Sequence, residues 1–222
     1  MAEIKVFENI LSRNDKIAEQ NKKLIGKAFS INMMSSPGAG KTAILERTAA
    51  ALKEHYKIAV IEGDITTSND AMRIKKQGVA AVQIKTENFG GGCHLDAKMV
   101  SGALKKIKNK RSLDLLIIEN VGNLICPADF NLGEDKKVVA LSVTEGDDKP
   151  LKYPQIFAQA DLMLLNKTDL LPYVDFDTDK MMKYLKKTNR KLQVIKMSAK
   201  EGSGMGPWLA WIRAGIRAKR GR

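Results

Sequence analysis

Phe29-Ser30-Ile31-Asn32-Met33-Met34-Ser35-Ser36-Pro37-Gly38-Ala39-Gly40-Lys41-Thr42 sets the architecture of this chain. An apolar run of strand character, Phe29 to Met34, empties into a turn rich in glycine, and Thr42 opens an amphipathic pattern that continues to His55. Strand, glycine-rich turn and helix in succession form the opening unit of an alternating β-α chain. Reading outward, strand-like runs recur at Lys57 to Glu62, Ala80 to Lys85, Leu113 to Glu119, Val138 to Val143, Asp161 to Leu165 and Leu192 to Met197. Helical patterns lie between them at Asn69 to Gln77, His94 to Asn109, Lys152 to Gln159, Thr178 to Thr188 and Pro207 to Arg217. Leu115-Leu116-Ile117-Ile118 is continuously apolar, as a strand covered on both faces must be. The expected fold is therefore α/β: a doubly wound, mostly parallel sheet with helices on both faces. Residues 7 to 26 read as a polar helix docking through Ile17, Leu24 and Ile25. That divides the chain into an N-terminal helical extension, residues 1–26, and an α/β domain, residues 27–222.

The turn itself, Ser35 to Thr42, closes on Gly-Lys-Thr, which matches the P-loop pattern and makes the domain a P-loop NTPase. Polyphosphate must be met by many backbone N–H groups, and glycine lets the backbone approach it closely. Gly38, Ala39, Gly40, Lys41, Thr42 and Ala43 are the expected cradle, with Lys41 reaching the β- and γ-phosphates and the Thr42 hydroxyl on Mg2+. Ser35 stands where the pattern has its first glycine. Asn166-Lys167-Thr168-Asp169 follows the penultimate strand. A carboxylate there accepts from guanine N1–H and its exocyclic amine, whereas adenine leaves it unpaired. Asn166 is expected to fix the loop and contact the base, and the Lys167 stem to cover the ring. Ser198-Ala199-Lys200 follows the last strand, where the Ala199 N–H can face guanine O6. Strand carboxyl ends are where open α/β sheets bind ligands, and the order of motifs selects GTP. Asp64 and Glu119 are candidate Mg2+ carboxylates, Asp64 preferred, which gives Lys41, Thr42 and Asp64 as the catalytic set. No glutamine stands in Asn120-Val121-Gly122 to orient water, so hydrolysis is expected to be slow, as in a timer or switch.

The two cysteines, Cys93 and Cys126, both fall in loops after strands, and Cys93 abuts His94, one of only two histidines. Met1-Ala2-Glu3-Ile4-Lys5 lacks the apolar core of a signal peptide and no run approaches a membrane span, so a cytoplasmic location with reduced thiols is expected. Such cysteines bind metal or are inert rather than bridged. Thiolate and imidazole suit Zn2+ and Ni2+. Three ligands are one short of a closed tetrahedron, and adjacent Cys93 and His94 are expected to point apart; both considerations favour a site shared by two copies. Cys126 lies on the loop that senses the γ-phosphate, so nucleotide state and metal affinity are expected to be linked. His55, at a helix end, reads as solvated. Lys plus Arg exceed Asp plus Glu by 38 to 25. The excess is scattered along helices such as Lys105 to Arg111 without aromatic interleaving, so it reads as solubility or an acidic partner rather than nucleic-acid binding. The tail, Arg217 to Arg222, reads as a frayed, solvated end.

These residues together resemble the hydrogenase nickel-incorporation GTPases, the HypB family. The resemblance rests on Ser35 to Thr42, Glu62-Gly63-Asp64, Gly90 to Asp96, Glu119 to Pro127, Asn166 to Asp169 and Ser198 to Gly204, with Glu119-Asn120-Val121-Gly122-Asn123-Leu124-Ile125-Cys126-Pro127 the most specific block. It implies a homodimeric GTPase metallochaperone that supports nickel insertion into the large subunit of a nickel-iron hydrogenase, with a second maturation protein as metal partner. It also implies Ni2+ or Zn2+ on Cys93, His94 and Cys126 at the dimer interface. Some members carry an N-terminal cysteine cluster or histidine-rich tract; residues 1–30 contain neither Cys nor His, so that extra nickel site is expected to be absent. The competing readings are a urease-type accessory GTPase, against which the Gly-Gly-Cys-His and Asn-Leu-x-Cys-Pro contexts speak, and a nucleotide-gated metal-binding adaptor with incidental hydrolysis.

Overall fold

The computed structural model describes residues 2–64, 69–89 and 92–221. All seven strand-like runs are strands: β1 (Phe29–Ser35), β2 (Ile58–Asp64), β3 (Ala80–Lys85), β4 (Leu115–Gly122), β5 (Lys136–Ser142), β6 (Leu162–Asn166) and β7 (Gln193–Lys196). They form one sheet in the order β3-β2-β4-β1-β5-β6-β7, and every pairing is parallel. The helices are α1 (Ala2–Ile25), α2 (Lys41–Leu52), α3 (Asn69–Lys76), α4 (Ala97–Lys106), α5 (Lys149–Lys152), α6 (Pro154–Gln159), α7 (Thr178–Thr188) and α8 (Met205–Arg220).

Both sheet faces are covered, which is why β1 is buried at every position and β4 at all but its last. On one face Ile31, Val60 and Ile117 pack with Ile44 and Leu45 of α2 and Trp208 and Ile212 of α8. The Trp208 indole is satisfied there, its Nε1 donating to Thr48 Oγ1 at 2.8 Å. On the other face the alternate residues Ile61, Leu116 and Ile118 meet Val100 and Leu104 of α4, while Met34, Leu141 and Leu165 meet Phe157 and Met181 of α6 and α7. The chain leaves β1 in one direction to build β2 and β3, returns to insert β4 beside β1, then crosses to β5. The cleft at the carboxyl end of β1 lies where the winding reverses, the place an open α/β sheet offers a ligand.

Four local expectations are corrected. The helix expected from His94 begins at Ala97, because Asp96 caps it, its carboxylate accepting the Met99 N–H at 2.7 Å; His94 is thereby left in the loop. The single helix expected over Lys152 to Gln159 is two, α5 and α6, broken at Tyr153, with Pro154 starting the second as proline does in a first turn. The tail expected to fray continues α8 to Arg220. Lys219 Nζ pairs with Asp135 and Arg220 with Asp114, acids that precede β5 and β4. Finally, α1 docks less through Ile17 and Leu24, which are half-buried, than through Asn14, Ala18, Asn21 and Ile25. Asn21, fully buried, donates to Ala97 O at 2.8 Å and Leu132 O at 3.1 Å. Asn14 donates to Asn131 O and accepts the Ala97 N–H, each at 2.8 Å. No helix among the described residues is long and apolar enough to cross a membrane.

Candidate functional site

A cavity of about 440 Å³ opens at the carboxyl ends of β1, β2 and β4. Gly38, Gly40, Lys41, Thr42 and Ala43 line one wall; Glu62, Gly63 and Asp64 another; Glu119 to Gly122 a third, with Lys167 and Arg73 at the rim. The loop is held at several points. Gly38 and Gly40 have φ of +76° and +92°, the left-handed region. A Cβ on Gly40 would lie 2.4 Å from Asn166 Nδ2, so side chain and conformation both demand glycine there. Ser35 needs no such freedom because it is the last residue of β1; its fully buried Oγ accepts from Lys41 Nζ at 2.7 Å. The Ser36 hydroxyl donates to Glu145, whose other oxygen accepts the Ser142 N–H at 2.9 Å.

Three carboxylates, Glu62, Asp64 and Glu119, line the cavity with Thr42 rather than the two expected. Glu62 is 2 % and Glu119 4 % exposed, and the two are register partners across β2 and β4. Thr42 Oγ1 donates to Glu119 Oε1 at 3.2 Å. Glu62 was legible in principle: residues two apart on a strand share a face, and Asp64 was already placed there. Arg73, whose Nε and Nη2 donate to Glu46 at 3.0 and 2.6 Å, carried no local signal. Glu145 did, as the last residue of a Ser-x-x-Glu capping box.

At the other end of the loop Asn166 Nδ2 donates to Ala39 O at 2.8 Å, and its Oδ1 accepts the Ala199 N–H at 3.0 Å. One amide thus clamps the phosphate loop to the Ser198-Ala199-Lys200 turn. The Ala199 N–H expected to face guanine O6 is in this structure spent on Asn166. Lys167 adopts a left-handed conformation (φ 60°) beside Gly40. Asp169 Oδ1 is buried with no hydrogen-bond partner among the described residues. A buried acceptor left open in this way fits a donor edge such as that of guanine.

Cys93, His94 and Cys126 converge, with their ligand atoms all within 4.8 Å of one another. Neighbouring in sequence does not make Cys93 and His94 point apart: Cys93 Sγ lies 3.8 Å from His94 Nδ1 and 2.6 Å from Cys126 Sγ. Each residue is half-buried, and both cysteines are free. The His94 ring stacks on Phe130, centroids 4.0 Å apart. Burial holds this imidazole below the ordinary histidine value, against the pull of the Asp96 and Asp129 carboxylates. The Cys126 thiol is pushed up, first by its hydrogen bond with Cys93, then by burial and the Cys93 charge. A soft cation between the sulfurs removes that penalty. Asn123 braces the loop, its Oδ1 accepting the Ile125 N–H at 2.7 Å while Nδ2 lies 3.6 Å from Cys126 Sγ. His55 is exposed.

Residues 30–196 match the family model described as CobW/HypB/UreG, nucleotide-binding domain. The chain is 53% identical over 211 residues to the hydrogenase maturation factor HypB of Azotobacter vinelandii, covering 94% of this chain and 68% of that protein. Among solved structures it is similar to HypB from Helicobacter pylori in complex with nickel (TM-score 0.86, 38% identity, 94% of this chain and 97% of that one). It is equally similar to the hydrogenase maturation factor HypB from Archaeoglobus fulgidus (TM-score 0.85, 40% identity, 92% and 99%).

Proposed function

The chain belongs to the HypB family, within the CobW/HypB/UreG nucleotide-binding proteins, and from that premise we propose that it is a GTP-hydrolysing metallochaperone for nickel. The observation that carries this reading is the meeting of Cys93, His94 and Cys126, on segments that follow β3 and β4, at the same end of the sheet as the nucleotide cleft. In this reading Gly38 to Ala43 cradle the phosphates, Lys41 balances their charge, and Asp169 selects guanine while Asn166 orders the loop. The oxygen donors of Thr42, Asp64 and Glu119, joined by Glu62, fit Mg2+, which takes carboxylates and phosphate oxygens and when bound neutralises the polyphosphate. The protein's own part in hydrolysis is to hold the γ-phosphate in place beside the β4 end.

The Cys/His set takes Ni2+ or Zn2+ as cargo. Three ligands leave a tetrahedral ion one short, which supports a site completed by a second copy of the chain in a homodimer. The names of the relatives support a hydrogenase as the client; that it is a nickel-iron hydrogenase, with a second maturation protein exchanging the metal, is part of the proposal. Helix α1 acts in this account as an extension of the 27–222 domain. The test is to titrate nickel and zinc into the protein and its Cys126→Ala variant, in the presence of GDP or a non-hydrolysable GTP analogue. Loss of affinity in the variant is expected; affinities unchanged in both nucleotide states overturn the proposal.

A further inference from the structure

Cys126 reaches the nucleotide through the chain itself, four residues beyond the end of β4. Cys93 and His94 have no such covalent route, yet a second connection runs to the same strand. Glu119 and Asn120 are successive residues of β4 and therefore face opposite sides of the sheet. On one side Glu119 accepts from Thr42 at the phosphate loop. On the other, Asn120 Oδ1 accepts the backbone N–H of Leu95 at 3.0 Å and that of Val121 at 3.0 Å. The amide is fixed in this orientation because its Nδ2 donates to Asn32 Oδ1 at 3.2 Å, and Asn32 in turn donates to Glu134 at 3.3 Å.

Leu95 directly follows His94 and is fully buried. Its side chain packs on Gly63, where an added Cβ would lie 2.8 Å from three Leu95 carbons. Gly63 sits between Glu62 and Asp64 on the cavity wall. Its smallness is required by the leucine behind it. Leu95 is thus held by the ends of both β2 and β4, the two strands whose carboxylates line the cavity with Thr42.

We propose that Leu95, gripped by the Asn120 amide and seated on Gly63, is the positioning residue that transmits nucleotide state to Cys93 and His94, so that both halves of the metal site move with the end of β4. This inference rests on the reading that nucleotide controls the Cys/His site. Closely packed buried contacts of this kind have discrete arrangements rather than a continuum, so a small shift at residues 119–122 is passed on.

The test measures nickel affinity by competition with a chromophoric chelator, at saturating GDP and at saturating GTP analogue, in the full chain. The wild type is expected to show a ratio of about fivefold or more between the two states. Leu95→Ala and Asn120→Ala bring the ratio below about twofold while nickel still binds, and Leu95→Met, which keeps the volume, restores it. A wild-type ratio of one overturns the nucleotide-controlled site and this link with it. A wild-type ratio above fivefold that persists in both alanine variants overturns the link alone. Hydrogen exchange at the Leu95 amide of the wild type decides the matter should either variant fail to fold. Its protection is expected to differ between the two nucleotide states by about tenfold or more, and equal protection overturns the link.

Discussion

Gly40→Ala tests the clamp at the base of the phosphate loop, and Gly38→Ala supplies its control. Both glycines have positive φ, +92° at Gly40 and +76° at Gly38, so alanine is strained at either, by about 1 kcal/mol. At Gly38 nothing lies within 4 Å of the new methyl group, and the strain is the whole cost. At Gly40 the methyl meets Asn166 Nδ2 at 2.4 Å. Asn166 is 1 % exposed and cannot swing away without releasing both Ala39 O and the Ala199 N–H. Two buried hydrogen bonds at about 1 kcal/mol each bring the Gly40→Ala cost to about 3 kcal/mol. For a chain of this size that is a fall in Tm of about 6–12 °C, against about 2–4 °C for Gly38→Ala. Thermal unfolding of the two variants without nucleotide, followed by far-ultraviolet circular dichroism, reads the difference. Equal shifts would refute the reasoning, because they would mean that Asn166 does not clamp the loop.

Asp169→Asn removes the carboxylate whose Oδ1 is buried without a partner; GTP affinity should fall about 10- to 100-fold in competition binding, and xanthosine triphosphate, whose C2 carbonyl needs a donor, should gain. GTP affinity within threefold of wild type would mean that Asp169 does not read the base. Asn21→Ala leaves Ala97 O and Leu132 O without their buried donor; a loss of about 2 kcal/mol, or about 4–8 °C in Tm, is expected, and no loss would mean that α1 is only loosely held. Lys219→Ala should lower Tm by no more than about 2 °C, since its partner Asp135 retains the Ser30 N–H and hydroxyl as donors.

The architecture was legible because seven short, apolar-rich runs alternate with amphipathic stretches, and one of them, Leu115 to Ile118, is continuously apolar as a strand covered on both faces must be. The phosphate loop and the guanine motif were legible because their chemistry depends on residues close in sequence. What escaped depends on distance or on polar burial. Apolar periodicity picks out Ile17 and Leu24 on α1 but is blind to Asn14 and Asn21, which dock by hydrogen bonds to backbone of residues more than 70 positions away. The basic tail looked solvated because its acids, Asp114 and Asp135, stand before distant strands. Cys93, His94 and Cys126 were recognisable as a set from residue type and loop position, but their mutual orientation was not. Asp96 ends the loop by capping α4, and that cap leaves His94 free of the helix to lie beside Cys93. Leu95 carries no local signal of its part, because the amide that holds its N–H belongs to Asn120, 25 positions away.

The account stands on one claim, that the nucleotide state governs a metal site built from two copies of the chain. Native mass measurement of the protein with nickel, once with GDP and once with a non-hydrolysable GTP analogue, tests it most directly. The account predicts a nickel-bearing dimer whose population and ion content differ between the two nucleotide states. Identical mass and ion content in the two states, or a monomer that retains its own ion throughout, contradicts it.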